Sequence, residues 1–237
     1  LVIIQAIGFF KLQSITIAQG FHKLFAGIGI LGLLGLVLFA HFHIDLMSLN
    51  VDRWSVIDSF WSASFNDEYP YLASSHMGNP PGSMPIYFVL SLPFWLLGEL
   101  SVFSCIGYVI LILMLVYKPS FKARRNAIWL YLATAVFLVW ELLVRSNIIT
   151  NTMLIILALD WFLRTDVKDL KKSWLVAVVL GFLLATRGNF AVVYIIFFMY
   201  PLVTKQVNFV QMFKFTALSA LAFASVYLLL IGIYGKV

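Results

Sequence analysis

The sequence predicts an all-α fold, a multi-span transmembrane helical bundle of about seven spans, and three observations predict it. First, 62% of the 237 residues are hydrophobic and only 11% are charged, whereas a water-soluble domain carries about 25% charged residues to cover its surface. The mean hydropathy of +0.99 excludes intrinsic disorder, which requires the opposite composition. Second, the apolar stretches are long and unbroken, as at 101–117 and 216–233. A transmembrane barrel would instead alternate apolar and polar residues in segments of about 10. Third, Lys and Arg collect in short loops between those stretches, as cytoplasmic loops of helical membrane proteins do. The single Cys105 excludes an intramolecular disulfide and a cysteine-based zinc site.

Taken in order, residues 1–23 are apolar but interrupted by Lys11, Gln13 and Lys23, and read as a cytoplasmic or interfacial segment. The first residue is Leu rather than Met, so the chain reads as a fragment or a processed form. The first span covers 24–43, close to the roughly 20 apolar residues that a bilayer requires. An extracytoplasmic loop follows at 44–84, holding five of the acids, Asp45, Asp52, Asp58, Asp67 and Glu68, against one arginine. The apolar piece 86–98 is short for a span, carries Pro93 and ends in Gly98-Glu99. It reads as a half-helix that enters and returns, which leaves the basic loop Lys118–Arg125 in the cytoplasm. Further spans are expected near 101–117, 126–143, 148–163, 173–186, 190–203 and 216–234. The whole chain, 1–237, forms one multi-pass domain of the cell (inner or plasma) membrane, with a cytoplasmic N-terminus. On this topology twelve Lys/Arg face the cytoplasm, while Arg53, Arg145, Arg187 and Lys236 lie outside. The net charge of +6 therefore reports insertion and gives no reason to expect a nucleic-acid partner.

The outer loop is the most informative stretch. From Asp52 to Phe65 the spacing is that of an amphipathic helix: Trp54, Ile57, Trp61 and Phe65 share one face, and Asp52, Ser55, Ser59 and Ser62 the other. Such a helix lies along the membrane surface with its aromatics at headgroup level. Asp52 suits a helix N-cap and equally a reactive carboxylate. In His76–Pro85 the paired prolines hold Asn79 in an extended turn, which presents His76 and Asn79 beside Asp52 or simply leads rigidly into the half-helix. Outer cations are scarce, so Arg53, Arg145 and Arg187 stand out as binders of a phosphate or pyrophosphate, which guanidinium groups clasp in bidentate fashion. Two plainer roles compete: an intrahelical pair between Glu141 and Arg145, and snorkelling of Arg187 to headgroups. Asn147, Thr150 and Asn151 share a helical face at the outer end of a span. Asp160, near an inner span end, carries no functional expectation. The phosphate loop, dinucleotide fingerprint, zinc spacing and nucleophile elbow are missing from the sequence, which leaves carboxylate, His and Arg to do any chemistry.

The order of these parts resembles the GT-C class of integral-membrane glycosyltransferases, the mannosyltransferase-like enzymes that use polyprenyl-phosphate-linked sugars. The resemblance rests on a first span followed by a large outer loop with an early acid, Asp52, and a juxtamembrane helix. It continues through Tyr69-Pro-Tyr71, the Asn-Pro-Pro-Gly-x-x-Pro stretch 79–85, the Arg-x-Asn at 145–147, and Gly181-Phe-Leu-Leu-Ala-Thr-Arg-Gly-Asn-Phe190. It covers about 45–215 and is similar to the N-terminal module of that class, whose full enzymes run well past seven spans. The resemblance implies that Asp52 acts as catalytic base or metal-associated carboxylate. It also implies that Arg53, His76, Asn79, Arg145, Asn147 and Arg187 bind substrate. If a divalent cation serves as cofactor, Asp52, Asp58, Asp67 and Glu141 are the candidate ligands, although the second outer loop has Glu141 and Arg145 where the class has an Asp. The implied function is transfer of a sugar from a polyprenyl-phosphate donor to a glycan, lipid or protein acceptor of the cell envelope, among membrane lipids at the outer face. A transporter or lipid flippase, and a non-catalytic membrane subunit of an envelope-polymer assembly complex, are the alternatives.

Overall fold

A computed structural model describes residues 18–122 and 125–234. Most of the expected segment 1–23, together with Arg124 and Lys236, lies outside the described residues. Among the described residues every regular element is helical. Ten α-helices follow one another: α1 (Gln19–His43), α2 (Arg53–Phe65), α3 (Pro85–Leu96), α4 (Ser101–Tyr117), α5 (Arg125–Thr134), α6 (Val136–Leu143), α7 (Ile148–Arg164), α8 (Leu170–Leu184), α9 (Ala191–Val203) and α10 (Phe209–Tyr234). Single 3-10 turns occur at Leu46–Ser48, Pro70–Leu72, Pro119–Phe121 and Gly188–Phe190. The protein is a membrane protein by its helices: α1 and α10 are each long and apolar enough to cross a bilayer, with mean hydropathies of 2.2 and 2.1. Up to four such crossings are present if the broken pairs α3 with α4 and α5 with α6 each count once. Along α1, Leu24, Ile28, Leu31, Leu34 and Leu38 form an outward stripe at helical spacing, each at least half exposed. Such a stripe is costly in water and satisfied in lipid.

Several expected boundaries move. The helix of the first expected span, α1, starts at Gln19, five residues before that span. The expected span 126–143 is two helices, bent by 57° at Ala135. Next to the break the Thr134 hydroxyl donates to the Leu130 carbonyl at 2.8 Å, a back-bond of the kind that accompanies bent helices. α7, α8 and α9 hold 17, 15 and 13 residues, about 26, 22 and 20 Å at the helical rise, shorter than the ~30 Å of a hydrocarbon core.

The chain divides into two compact units, residues 1–54 with 97–150, and residues 55–96 with 151–237. In the first unit α1 packs on α4, and α6 packs on both. Val37, Cys105, Tyr108 and Leu142 form one buried cluster, and Ala26, Ile112 and Val116 another. Polar contacts define its two ends. At one end Gln19 Nε2 donates to the Val116 carbonyl at 2.9 Å and Arg125 Nη1 donates to Gln19 Oε1 at 2.6 Å. These bonds join the start of α1, the end of α4 and the start of α5. At the other end Arg145, just past α6, reaches both the Ala40 carbonyl near the end of α1 and Glu99 just before α4. So α1 and α5–α6 run one way and α4 runs back, and the chain departs at His43 and returns at Ser101 to the same end.

α4 approaches the start of α7 through small residues. The Gly107 N–H donates to Thr150 Oγ1 at 3.1 Å, Thr150 Oγ1 donates to the Phe103 carbonyl at 2.5 Å, and Ser104 Oγ donates to the Ser146 carbonyl at 2.6 Å. A Cβ on Gly107 would lie 2.5 Å from the Thr150 nitrogen, so only glycine fits.

In the second unit α8 packs along α10 around Phe162, Val176, Leu180 and Phe215. Gly181 meets the Ser219 backbone too closely for any side chain. The body of α2 packs on α3: the Phe60 and Phe88 rings stack 3.8 Å apart, Trp61 donates to the Phe88 carbonyl, and Trp95 donates to Asp58. Of the expected apolar face, Trp54 and Ile57 are buried and Trp61 is half-buried, while Phe65 is 61% exposed and stacks on Trp95 of α3 at 5.5 Å; Phe60 and Ser55, outside that face, are buried as well.

Gly107→Leu is expected to destabilise the protein by at least about 3 kcal/mol through overpacking against backbone, read as a lowered melting temperature in detergent. Gly32→Leu, where nothing lies within 4 Å of the added carbon, is expected to leave the melt unchanged.

Candidate functional site

Asp52, Arg53, Arg145 and Asn147 belong to the first unit, and His76, Asn79 and Arg187 to the second. The first unit carries a cluster of buried charge. Arg53 pairs with Glu141, whose side chain is fully buried, and donates also to Ser146 Oγ at 2.8 Å. Asp52 stands immediately before α2, half-exposed, next to this pair. Arg145 is 4% exposed. Its Nε donates to Glu99 Oε1 at 2.9 Å and its Nη2 to the Ala40 carbonyl at 3.2 Å. His41 Nδ1 lies 2.6 Å from Glu99 Oε2, and the Ser101 hydroxyl and N–H both donate to Glu99 Oε1. Thus Glu141 and Arg145, expected as an intrahelical pair, each pair elsewhere. The reason is backbone geometry: Arg145 sits at φ 55, and Ser146 N–H closes on the Glu141 carbonyl at 2.9 Å. This is a helix-ending turn whose left-handed position normally takes glycine. An arginine there costs about 1–2 kcal/mol of backbone strain, offset by the ion pair that the turn makes possible.

Glu99 lies in the break between α3 and α4, outside both helices, where Gly98 at φ 76 ends α3. Burial by itself raises its pKa, but hydrogen bonds from Arg145, from the Ser101 hydroxyl and N–H, and from His41 outweigh burial and hold the carboxyl at about 2. Three buried groups in this cluster remain unsatisfied: Glu141 Oε1, Arg145 Nη1 and the whole Asn147 side-chain amide. Buried orphans of this kind call for a water or ligand partner.

In the second unit the turn at 75–79 is closed by Ser75 N–H to the Asn79 carbonyl at 2.9 Å and Asn79 N–H to Ser75 Oγ at 3.1 Å. His76 Nδ1 lies 2.6 Å from Ser55 Oγ, and both His76 and Asn79 stay exposed. Downstream, Met84 N–H donates to the Thr186 carbonyl at 3.2 Å and Ile86 N–H to the Ala185 carbonyl at 3.0 Å. Those bonds clamp the proline-rich loop to the end of α8. Arg187, the next residue, lies over the Tyr87 ring with its Cζ 5.2 Å from the centroid, a cation–π contact. Its Nε is buried without an acceptor.

The carboxylates named as metal candidates do not form a donor set. Glu141 is taken up by Arg53, Asp58 accepts from Trp95 Nε1 at 2.8 Å, and among the described residues no three His, Cys, Asp or Glu side chains gather. Glu99 and His41 are the residues that sequence reasoning missed. The signal was present, since a lone acid between two apolar runs is a functional suspect by default.

Compared with known proteins, the chain matches no family model, no curated protein and no solved structure.

Because the Glu99 carboxyl is depressed from an ordinary 4.5 to about 2, its stabilisation is complete above pH 4.5 and is lost as the pH falls through 2. A melting-temperature profile in detergent is expected to drop across that window, and Glu99→Gln is expected to flatten the drop. Arg145→Gly relieves the backbone strain yet removes the guanidinium from Glu99, leaving it only His41 and Ser101. It is expected to destabilise by about 3 kcal/mol, measured by the same melt.

Proposed function

We propose that the protein is an integral-membrane glycosyltransferase similar to the GT-C class, moving a sugar from a polyprenyl-phosphate carrier to an envelope acceptor at the outer face of the membrane. The observation that carries the proposal is the clamp between the Asn79–Pro85 loop and Ala185–Arg187. The two stretches most similar to that class are about a hundred residues apart in sequence, yet they are joined by backbone hydrogen bonds. Supporting it, the polar cluster of the first unit lies at the end from which the chain departs at His43 and to which it returns at Ser101. That is the arrangement expected if 44–100, half-helix included, stays on one side. On this reading α7, α8 and α9 also cross, in a bilayer that thins locally around short helices, giving the seven-span arrangement with a cytoplasmic N-terminus.

Asp52 serves as the base that removes the proton from the acceptor hydroxyl as it attacks the sugar carbon. The bond to the carrier phosphate breaks, and the phosphate leaves with the electron pair. Arg53 and Arg145 are committed to Glu141 and Glu99 and act by holding backbone in place, and in the second unit Arg187 carries a guanidinium suited to a phosphate. His76 and Asn79, exposed on a rigid turn, offer polar groups to the sugar or acceptor. An apolar groove of about 610 Å³ in the first unit, bordered by Gly29, Gly32, Leu111, Trp129 and Leu138, suits the carrier's hydrocarbon chain.

In proteoliposomes supplied with a polyprenyl-phosphate sugar, transfer is expected and Asp52→Asn is expected to lower kcat by about 100-fold or more. Arg187→Gln is expected to raise KM for the carrier. Full activity in Asp52→Asn contradicts the assigned base, and flux of the carrier without sugar transfer contradicts the enzyme reading.

A further inference from the structure

The second unit holds a cleft of about 710 Å³ between the proline-rich loop and the end of α10. Four tyrosines line it. The Tyr69 ring lies 5.9 Å from Tyr71 and 5.8 Å from Tyr234, centroid to centroid, and Tyr227 borders the cleft about two turns before Tyr234 on α10. The cleft is a built surface rather than a loose gap. Tyr71 donates its hydroxyl to the Ser83 carbonyl at 3.2 Å and packs its ring edge-on against Phe60 and Phe88. Burial, with smaller contributions from Tyr227 and Tyr69, pushes the Tyr71 phenol above its ordinary range, so it remains a protonated donor.

The chemistry of the lining selects the ligand. None of the lining side chains is a carboxylate, an amine, a guanidinium or an imidazole. A phosphate or other anion would bring charge into a place with no cation to meet it. A hydrocarbon chain would match Leu72, Leu230 and Ile231 but make no use of the polar tips of Tyr69, Tyr227 and Tyr234, the Tyr71 hydroxyl being already bonded to the Ser83 carbonyl. Tyrosine offers a flat apolar face and a polar tip. The complementary ligand is neutral, with an apolar C–H face and a rim of hydroxyls, which describes a sugar ring. The volume falls within the 300–1,000 Å³ typical of small-ligand sites and leaves room for more than one ring.

We propose that this tyrosine-lined cleft is a binding subsite for a neutral carbohydrate. On the glycosyltransferase reading it holds the glycan of the acceptor, but the binding itself does not depend on that reading. The test uses the full chain in nanodiscs with three neutral probes, mannotriose, maltotriose and cellotriose, and glucose 6-phosphate as an anionic control. Binding is followed by saturation-transfer difference NMR. At least one trisaccharide is expected to bind, with glucose 6-phosphate binding more weakly. Tyr69→Ala and Tyr234→Ala are each expected to weaken trisaccharide binding by about tenfold, with an unchanged helical melt. Tyr227→Phe, which removes a hydroxyl and keeps the ring, covers the case in which an alanine variant fails to fold, and it is expected to weaken binding by a smaller factor. Absence of binding by all three trisaccharides overturns the proposal, as does binding that no tyrosine variant reduces. Trisaccharide binding together with failed sugar transfer in proteoliposomes would keep the subsite and remove the enzyme reading. The converse result would remove the subsite alone.

Discussion

A buried guanidinium must find a carboxylate, and in this chain that requirement holds the polar end of the first unit together. Arg145 binds Glu99 and the Ala40 carbonyl at once, so one side chain ties the end of α1, the break before α4 and the turn after α6. Arg53 and Glu141 repeat the device one step along, with Ser146 as a second acceptor. Neither pair could be released singly, because a lone charge left in a low-dielectric surrounding costs several kcal/mol. The strained backbone at Arg145 has its explanation here, since a glycine would fit the turn more easily but could not reach Glu99.

Away from that end, cohesion comes from close approach rather than from hydrophobic burial. In lipid, apolar side chains gain little by leaving their surroundings, and helices associate through small residues and interhelical hydrogen bonds. Among the described residues, Gly107 against the Thr150 backbone in the first unit and Gly181 against the Ser219 backbone in the second leave no room for a side chain. In the first, the hydroxyl of Thr150 bonds across to the carbonyl of Phe103 on α4. The outward leucines of α1 contribute to insertion rather than to packing.

Much of the helical pattern was legible in the sequence because lipid imposes a simple rule, a long apolar run between polar ends. α4 matches its expected run, α1 and α10 end where expected but begin five and seven residues earlier, and Gly98 marks the end of α3 as a glycine in left-handed conformation should. The break at Ala135 was not legible. Thr134 sits in an apolar run without lowering its hydropathy much, and the bend is accompanied by a hydroxyl-to-carbonyl bond that no periodicity records. On α2 the expected face holds at Trp54 and Ile57, and burial also takes in Phe60, which stacks on Phe88 of α3, a partner that only tertiary packing supplies. In the candidate site, Arg53, Arg145 and Arg187 were picked out by their scarcity, and each proves to hold a defined contact. Their partners were not found, because Glu99 and Glu141 are 46 and 88 residues from the arginines they bind, and pairing at that range leaves no local signature.

The chain departs at His43 and returns at Ser101 to one end of the first unit, where Glu99 meets Arg145, and the proposed topology puts that end outside the membrane. Labelling of introduced cysteines with a membrane-impermeant maleimide in sealed, right-side-out vesicles tests it directly, with Ser74→Cys and Lys122→Cys each placed in a Cys105→Ser background. The account predicts that the cysteine at position 74 is labelled from outside and that the one at 122 is labelled only after the vesicles are opened. Labelling of both from the same side would contradict it.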